Sequence, residues 1–277
     1  MPKKLPWFPI FVLLAFVLAA VFAPYLAPHD PMQGDLMISQ MPPAWVPGGE
    51  PAYPLGTDEQ GRDVLSILLF GLRVSLAVGF AAVLLSVAIG TPLGLLAGYA
   101  GGRLGELIMR LADIQLAVPT FLVALVVLAL TGGGSVLKLI LVIGVVGWAN
   151  YARLVRGAVL SEKEREYVLA AEALGMSRGR IMFRHILPNV LSVILVQMSV
   201  DVPRVILLEA TLSFLGVGVS IETPAIGLMI QRGLDYIYSG VWWTTVLPGL
   251  VLATLVLATN LIGDWMRDAF DPRRRAT

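Results

Sequence analysis

The 277-residue chain is 57% hydrophobic and only 14% charged, with a formal net charge of +1 and a mean hydropathy of +0.81. Too little polar surface remains to cover a water-soluble globule of this size, so lipid is the solvent for most of the chain. The near-zero charge argues against a nucleic-acid binder. The absence of cysteine removes disulfides, thiolate zinc sites and cysteine nucleophiles, and His29 and His185, far apart in sequence, make a poor metal site.

A bilayer core about 30 Å thick needs about 20 mostly apolar residues per helix. In chain order, residues 8–26, 74–97, 112–130, 139–160, 190–219 and 241–263 meet that need. The first run follows Lys3 and Lys4, as a secretory signal would, but it is longer than a signal core and lacks a small-residue cleavage site, so it is expected to stay as an anchor. The third carries only Asp113, near its start, and Arg110, three residues earlier, is able to neutralise it at the interface. The fourth ends with Arg153 and Arg156, whose long side chains reach headgroups. The fifth contains Asp201, Pro203, Arg204 and Glu209, and a kinked or interrupted helix is expected there. These runs predict an all-α polytopic membrane protein with about six transmembrane helices.

Positive charge is retained in cytoplasmic loops. If the chain starts inside, the cytoplasmic set comprises Lys3, Lys4, Arg103, Arg110, Arg153, Arg156, Lys163, Arg165, Arg178, Arg180, Arg184, Arg267, Arg273, Arg274 and Arg275. Arg62, Arg73, Lys138 and Arg232 fall on the other side, a bias of about 15 to 4 that predicts both termini in the cytoplasm. Two polar segments then stand outside the bilayer, residues 27–72 externally and 161–189 internally. The division expected is an N-terminal anchor with its external segment, 1–72, and a transmembrane core, 73–277, that carries the loop 161–189.

Within that loop Ser161 and Glu164 fit a capping box, which predicts a helix from Glu162 to Gly175 with the glycine in the left-handed C-cap conformation. Val168, Ala171 and Leu174 would share one face, and Ala170, Ala171 and Ala173 would keep the surface small. Ser177 would cap a second short helix through Arg184, closed by Pro188.

Tyr167-Val-Leu-Ala170-Ala171-Glu-Ala-Leu-Gly175, followed by Arg184-His185-Ile186-Leu187-Pro188-Asn189, resembles the Glu-Ala-Ala loop of ABC importer permeases. Leu169 replaces the generic glutamate and His185 the generic isoleucine, both departures being similar to the peptide-importer branch. In that family the loop is a coupling helix that docks on a cytoplasmic ATPase. The resemblance therefore implies a docking role for Tyr167, Ala170, Ala171, Gly175, Arg184, Leu187 and Pro188. An amphipathic helix lying at the interface is the alternative, suited by Lys163, Arg165 and Arg178.

A second resemblance lies at Pro54-Leu-Gly56-Thr57-Asp58-Glu59-Gln60-Gly61-Arg62-Asp63-Val64, similar to the external segment of one permease of dipeptide, oligopeptide and nickel importers. Gly56 and Gly61 permit tight turns, while Asp58, Arg62 and Asp63 can cluster as ions and hydrogen-bond partners. A rigid scaffold is the expected role, direct substrate contact the alternative. Further resemblance runs through Arg110 to Asp113 with Pro119, Trp148 to Arg156, and Glu209 to Gly216. It implies the fold of a type I ABC importer permease.

Asp201 and Arg204 can pair at i, i+3. Glu209 is left for a place on the pathway or against a partner subunit. No Gly-x-x-x-x-Gly-Lys-Ser/Thr loop occurs in the chain, so it is not expected to cradle ATP in that way. No catalytic site, metal or cofactor is expected in it, given two distant histidines and no cysteine. The resemblance implies a second related permease, two ATPase subunits that bind ATP and Mg²⁺, an extracytoplasmic substrate-binding protein and a peptide substrate. Nickel complexes, glutathione, sugars or another small solute are alternative cargoes. An ion-coupled secondary transporter is the competing class, but it would call for a matching pair of broken helices. A membrane-embedded enzyme would need a nucleophile with its base.

Overall fold

A computed structural model describes residues 5–132 and 134–270. Lys3, Lys4, Arg273, Arg274 and Arg275, on which the expected orientation partly rests, lie outside these. Eleven helices are described, with no strand among the described residues: α1 (Trp7–Val21), α2 (Ala23–Leu26), α3 (Val64–Tyr99), α4 (Gly102–Ala117), α5 (Thr120–Thr131), α6 (Val136–Glu162), α7 (Glu166–Ala173), α8 (Arg178–Ile181), α9 (Leu187–Phe214), α10 (Ile226–Leu234) and α11 (Trp243–Phe270). Four are long and apolar enough to cross a membrane, five if α4 and α5 count as one bent span. The 15-residue α1 falls short of a full crossing unless α2 extends it beyond Phe22, where the chain prepares for Pro24.

The centre of the molecule is the pair α3 and α6. Gly90, Gly94 and Gly98 place a bare strip on α3, and a Cβ there would lie 2.5 Å from the Trp148 carbonyl oxygen, 2.6 Å from that of Ala152 and 2.8 Å from Val159 Cβ. Small residues four apart allow two backbones to meet at a distance that any side chain would prevent, and in lipid such contact replaces the missing hydrophobic drive between helices. Around this pair one buried cluster runs from Val64 and Ile67 at the start of α3, through Leu95, Tyr151 and Val159, to Val168 and Ala171 of α7.

Four expectations are corrected. Residues 112–130 form no single helix: it breaks at Val118 and Pro119, and the two pieces meet at 82°. Asp113 pairs with Arg153 of α6, at 2.5 Å, instead of Arg110. The second run begins at Val64, ten residues before its apolar stretch, because Asp63 Oδ2 accepts hydrogen bonds from Ser66 N at 2.9 Å and Ser66 Oγ at 2.5 Å and so caps the helix. And of the kink or interruption expected around Pro203 the interruption is absent, since α9 runs through this buried residue. The carbonyl that Pro203 cannot bond, that of Ser199, is packed against Gly263 of α11, where a Cβ would stand 2.9 Å from the oxygen.

The interruption lies earlier. Residues Met182–Ile186 form a π-helical turn in which Leu187 N–H donates to Met182 O, joining α8 to α9 without a gap. Pro188 has no N–H for the carbonyl of Arg184, and the wider turn absorbs that mismatch. Pro188 therefore sits in the first turn of α9 and does not close the preceding helix.

Candidate functional site

The loop between α6 and α9 is built differently from its capping signals. α6 continues through Ser161 to Glu162, and α7 starts at Glu166 after an extended Arg165, so the box of Ser161 and Glu164 is not formed. Glu162 is used instead as an acceptor: Tyr167 Oη donates to its Oε2 at 2.6 Å, and Arg165 Nε lies 3.8 Å from its Oε1. Gly175 does adopt φ +74°, and its N–H donates to Glu172 O while that of Met176 donates to Ala171 O, the paired bonds of a Schellman closure. Ser177 stands at the start of α8 without a side-chain capping bond.

Burial sorts the loop into two faces. Val168 and Ala171 are 0% and 4% exposed and pack into the chain's own core with Ile181, Met182 and Ile186. Leu174, expected on that face, follows the end of α7 and is 78% exposed. Leu169, Ala170, Phe183, Arg184 and Pro188 are exposed with it, and Leu187 is half-buried. Ala171 is thus a residue of the inner face, and Leu169, Leu174 and Phe183 are large apolar side chains left exposed on the loop; Leu174 was expected on the inner face and Phe183 was not singled out from sequence. The i, i+4 relation of Ala170 to Leu174 was the available signal.

Two tyrosines fasten the loop to three long helices. Tyr99, the last residue of α3, donates to Glu172 Oε1 of α7 at 3.0 Å. Tyr167 donates to Glu162 at the end of α6 and accepts from Asn189 Nδ2, at 3.0 Å, at the start of α9. Burial first, and the Glu162 hydrogen bond next, push the Tyr167 phenol up to about 12, so the donor proton stays in place at physiological pH.

At the opposite end the signature residues form a buried knot. Thr57, Asp58, Arg62 and Asp63 are 0%, 5%, 7% and 1% exposed. Thr57 Oγ1 donates to Ile38 O and accepts from Met41 N, and its carbonyl accepts from Trp243 Nε1 of α11 at 3.0 Å. Asp58 accepts from Arg62 N and Nε, and its Oδ2 lies 2.5 Å from Arg62 Nη2. Gly61 takes φ +71° with Asp35 O against the position of an absent Cβ, and Gly56 takes φ +79° beside Met41 O. Glu59 and Arg232, not singled out from sequence, join the cluster at 3.8 Å from each other. Burial, then Asp58, raises the Glu59 pKa. Burial, then Arg62, lowers that of Arg232.

Between the two ends a cavity of about 290 Å³ is bordered by α3, α5, α6 and α9, with Asn150, Tyr151, Asp201 and Arg204 in its wall. Arg204 Nη1 lies 3.5 Å from Asp201 Oδ1. Glu209 does not share this cavity: it is fully buried, accepting from Ser75 Oγ of α3 at 2.7 Å and from Ser213 Oγ at 2.8 Å. It joins α3 to α9 inside this chain, which corrects its expected place on the pathway or at a subunit contact.

The family profile described as the binding-protein-dependent transport system inner membrane component matches residues 90–276, about two-thirds of the chain. The chain belongs to the binding-protein-dependent transport permeases. A second profile, the N-terminal transmembrane domain of oligopeptide transport permease C, matches residues 3–43 of the permease. The dipeptide transport system permease protein of Haemophilus influenzae is 45% identical over 95% of this chain and 88% of its own length. The di/tripeptide transport system permease protein of Pseudomonas aeruginosa is 43% identical over 94% and 86% respectively. An oligopeptide transport system permease protein of Bacillus subtilis is 36% identical over 99% and 87%. The permease is therefore a multi-pass membrane transport subunit.

Proposed function

We propose that the permease is one of two related membrane subunits of an ATP-driven importer of dipeptides and oligopeptides. The second permease completes the pathway, two ATPase subunits bind ATP and Mg²⁺ below it, and an extracytoplasmic binding protein delivers the peptide. α3 begins at Val64, so the division expected at residue 72 moves to 63: residues 1–63 serve as anchor and external segment and 64–277 as the transporting core, with both termini in the cytoplasm of the cell that takes up the peptide. The names of the relatives supply the cargo class.

The observation that carries the reading is the two-faced loop of residues 161–189. Its inner face is fused to the transmembrane core through Val168 and Ala171, while its outer face leaves Leu169, Leu174 and Phe183 uncovered. Exposed apolar side chains on a short loop between two candidate spans suit a partner's groove, and a core-fused inner face turns a push on that loop into movement of α3, α6 and α9. Docking then falls to Tyr167, Ala170 and the uncovered leucines, with Gly175 holding the bend, Arg184 on the exposed flank, and Leu187 and Pro188 entering α9.

The test is Leu169→Glu and Leu174→Glu in the complete complex reconstituted with its binding protein. Both variants should retain the second permease on purification. They should lose the ATPase subunits, or keep them with ATP hydrolysis detached from peptide uptake, because a charge is buried unpaired in the groove. Normal ATPase retention with normal uptake would sink the docking role. Uptake by wild type without ATPases would instead identify a secondary transporter.

A further inference from the structure

The wall of the 290 Å³ cavity holds a cation that the fold does not consume. Arg204 lies ten residues before the end of α9, about 15 Å along the helix axis at about 1.5 Å per residue. Its side chain is 70% exposed. A guanidinium at that depth does not face hydrocarbon, so it borders water or protein. Asp201, its one acidic neighbour among the described residues, is already occupied, since Gln197 Nε2 donates to both its oxygens at 3.1 Å, and Arg204 reaches Asp201 at a long 3.5 Å. Among the described residues, most of the N–H donors of Arg204 have no acceptor. Across the same cavity, Asn150 of α6 is exposed and its carboxamide has no hydrogen-bond partner among the described residues, whereas the Ser86 hydroxyl is held by Ala82 O and Gly144 O.

We propose that Arg204, assisted by Asn150, takes the terminal carboxylate of a peptide as it passes through this cavity. The inference rests on the peptide-import reading above and assigns the group that is recognised. A guanidinium presents paired donors at the spacing of a carboxylate, and the carboxamide adds a further donor. The terminal carboxylate is common to all peptides with a free end, so capture through it leaves the side chains unread. Asp201, fixed by Gln197, acts as a positioning residue that keeps the guanidinium turned along α9 toward the cavity without neutralising it fully.

The absence of cysteine from the chain provides the experiment. Arg204→Cys is placed in the complete complex, with the cysteines of partner subunits replaced, and treated in proteoliposomes with methanethiosulfonates bearing either an ammonium or a sulfonate. The introduced thiol should react from the aqueous phase, and peptide under ATP turnover should slow that reaction. The unmodified variant should lose peptide uptake by about tenfold, the scale of one charge-assisted hydrogen bond. The ammonium adduct should recover much of the loss and the sulfonate adduct should not. Failure of the thiol to react would place Arg204 against the second permease and overturn the proposal. Equal block by both adducts, or unimpaired uptake by the unmodified variant, would also overturn it. A wild-type complex that needs neither ATP nor binding protein for uptake would overturn the import reading itself, a separate result.

Discussion

Glu59 has a side chain 16% exposed, held between Arg62 and Arg232 at 3.8 Å from each, with the Asp58 carboxylate beside it. Burial and that neighbouring anion outweigh the two cations, so the fold favours the protonated acid and its pKa is raised. For a group whose folded pKa lies above the unfolded value, the stability it adds is complete below the unfolded pKa and is lost as pH rises through the folded one. Glu59→Gln fixes a neutral group of the same size. The melting temperature of the variant relative to wild type should therefore climb as pH rises through and above the ordinary carboxylate range, then level off. A difference that stays constant from about pH 4 to about pH 8 would contradict this balance of burial and charge. The ion cluster of Asp58, Arg62 and Asp63 was legible because all three residues lie close together in the chain, a separation that a turn at Gly61 closes. The part played by Arg232 was not, since nothing local ties α10 to the segment before α3; that contact exists only once α10 packs beside α3 and α11.

In the elements, local signals held where no partner competed with them. Gly175 is left-handed because the chain reverses there in solvent, with no atom near the position of a Cβ. The capping box at Ser161 lost to α6, whose buried face at Val155 and Val159 carries the helix on past it. Pro203 failed to break α9 because α3 and α11 hold that stretch from both sides, an effect invisible to a window of sequence. The glycines at 90, 94 and 98 are plain in the sequence, but the helix they receive is named only by the structure. The same packing leaves α7 attached to the long helices by polar contacts of Tyr99 and Tyr167. Tyr99→Phe together with Tyr167→Phe removes both hydroxyls while the outer face of Leu169, Leu174 and Phe183 stays intact. ATPase subunits should still copurify and hydrolyse ATP, while the ATP used per peptide imported should rise several-fold, each lost hydrogen bond weakening the attachment by about 1 kcal/mol. Glu162→Gln retains an acceptor for Tyr167 and should preserve the ratio. An unchanged ratio in the double variant would mean that the apolar inner face alone transmits the stroke.

At the scale of the whole molecule, contacts divide the chain into two ends without reference to any membrane. One end gathers Thr57 with Trp243, linked by the indole hydrogen bond, and Gly134 with Val219, paired as an isolated bridge. The other gathers Tyr99 with Glu172, and Glu162 and Tyr167 with Asn189. The long helices α3, α6, α9 and α11 run between them, and their outward faces remain apolar, as at Leu84, Leu141, Leu207 and Leu257. Such faces suit lipid or a second permease. Geometry thus fixes which residues share a side, and the distribution of lysine and arginine chooses which side is cytoplasmic. Reporter fusions test the two steps separately. Fusions after Ala44 and after Gly240 should give the same signal, and one after Gly175 the opposite, because Thr57 and Trp243 touch while α6 and α9 carry Gly175 to the far end. A split between the fusions at Ala44 and Gly240 would be incompatible with the bond from Trp243 to Thr57. Agreement between them with a cytoplasmic signal would keep the fold and invert the permease, placing the outer face of α7 where no ATP-hydrolysing partner could reach it. External signals at Ala44 and Gly240 with a cytoplasmic one at Gly175 are the outcome that the docking of ATPases on Leu169, Leu174 and Phe183 requires.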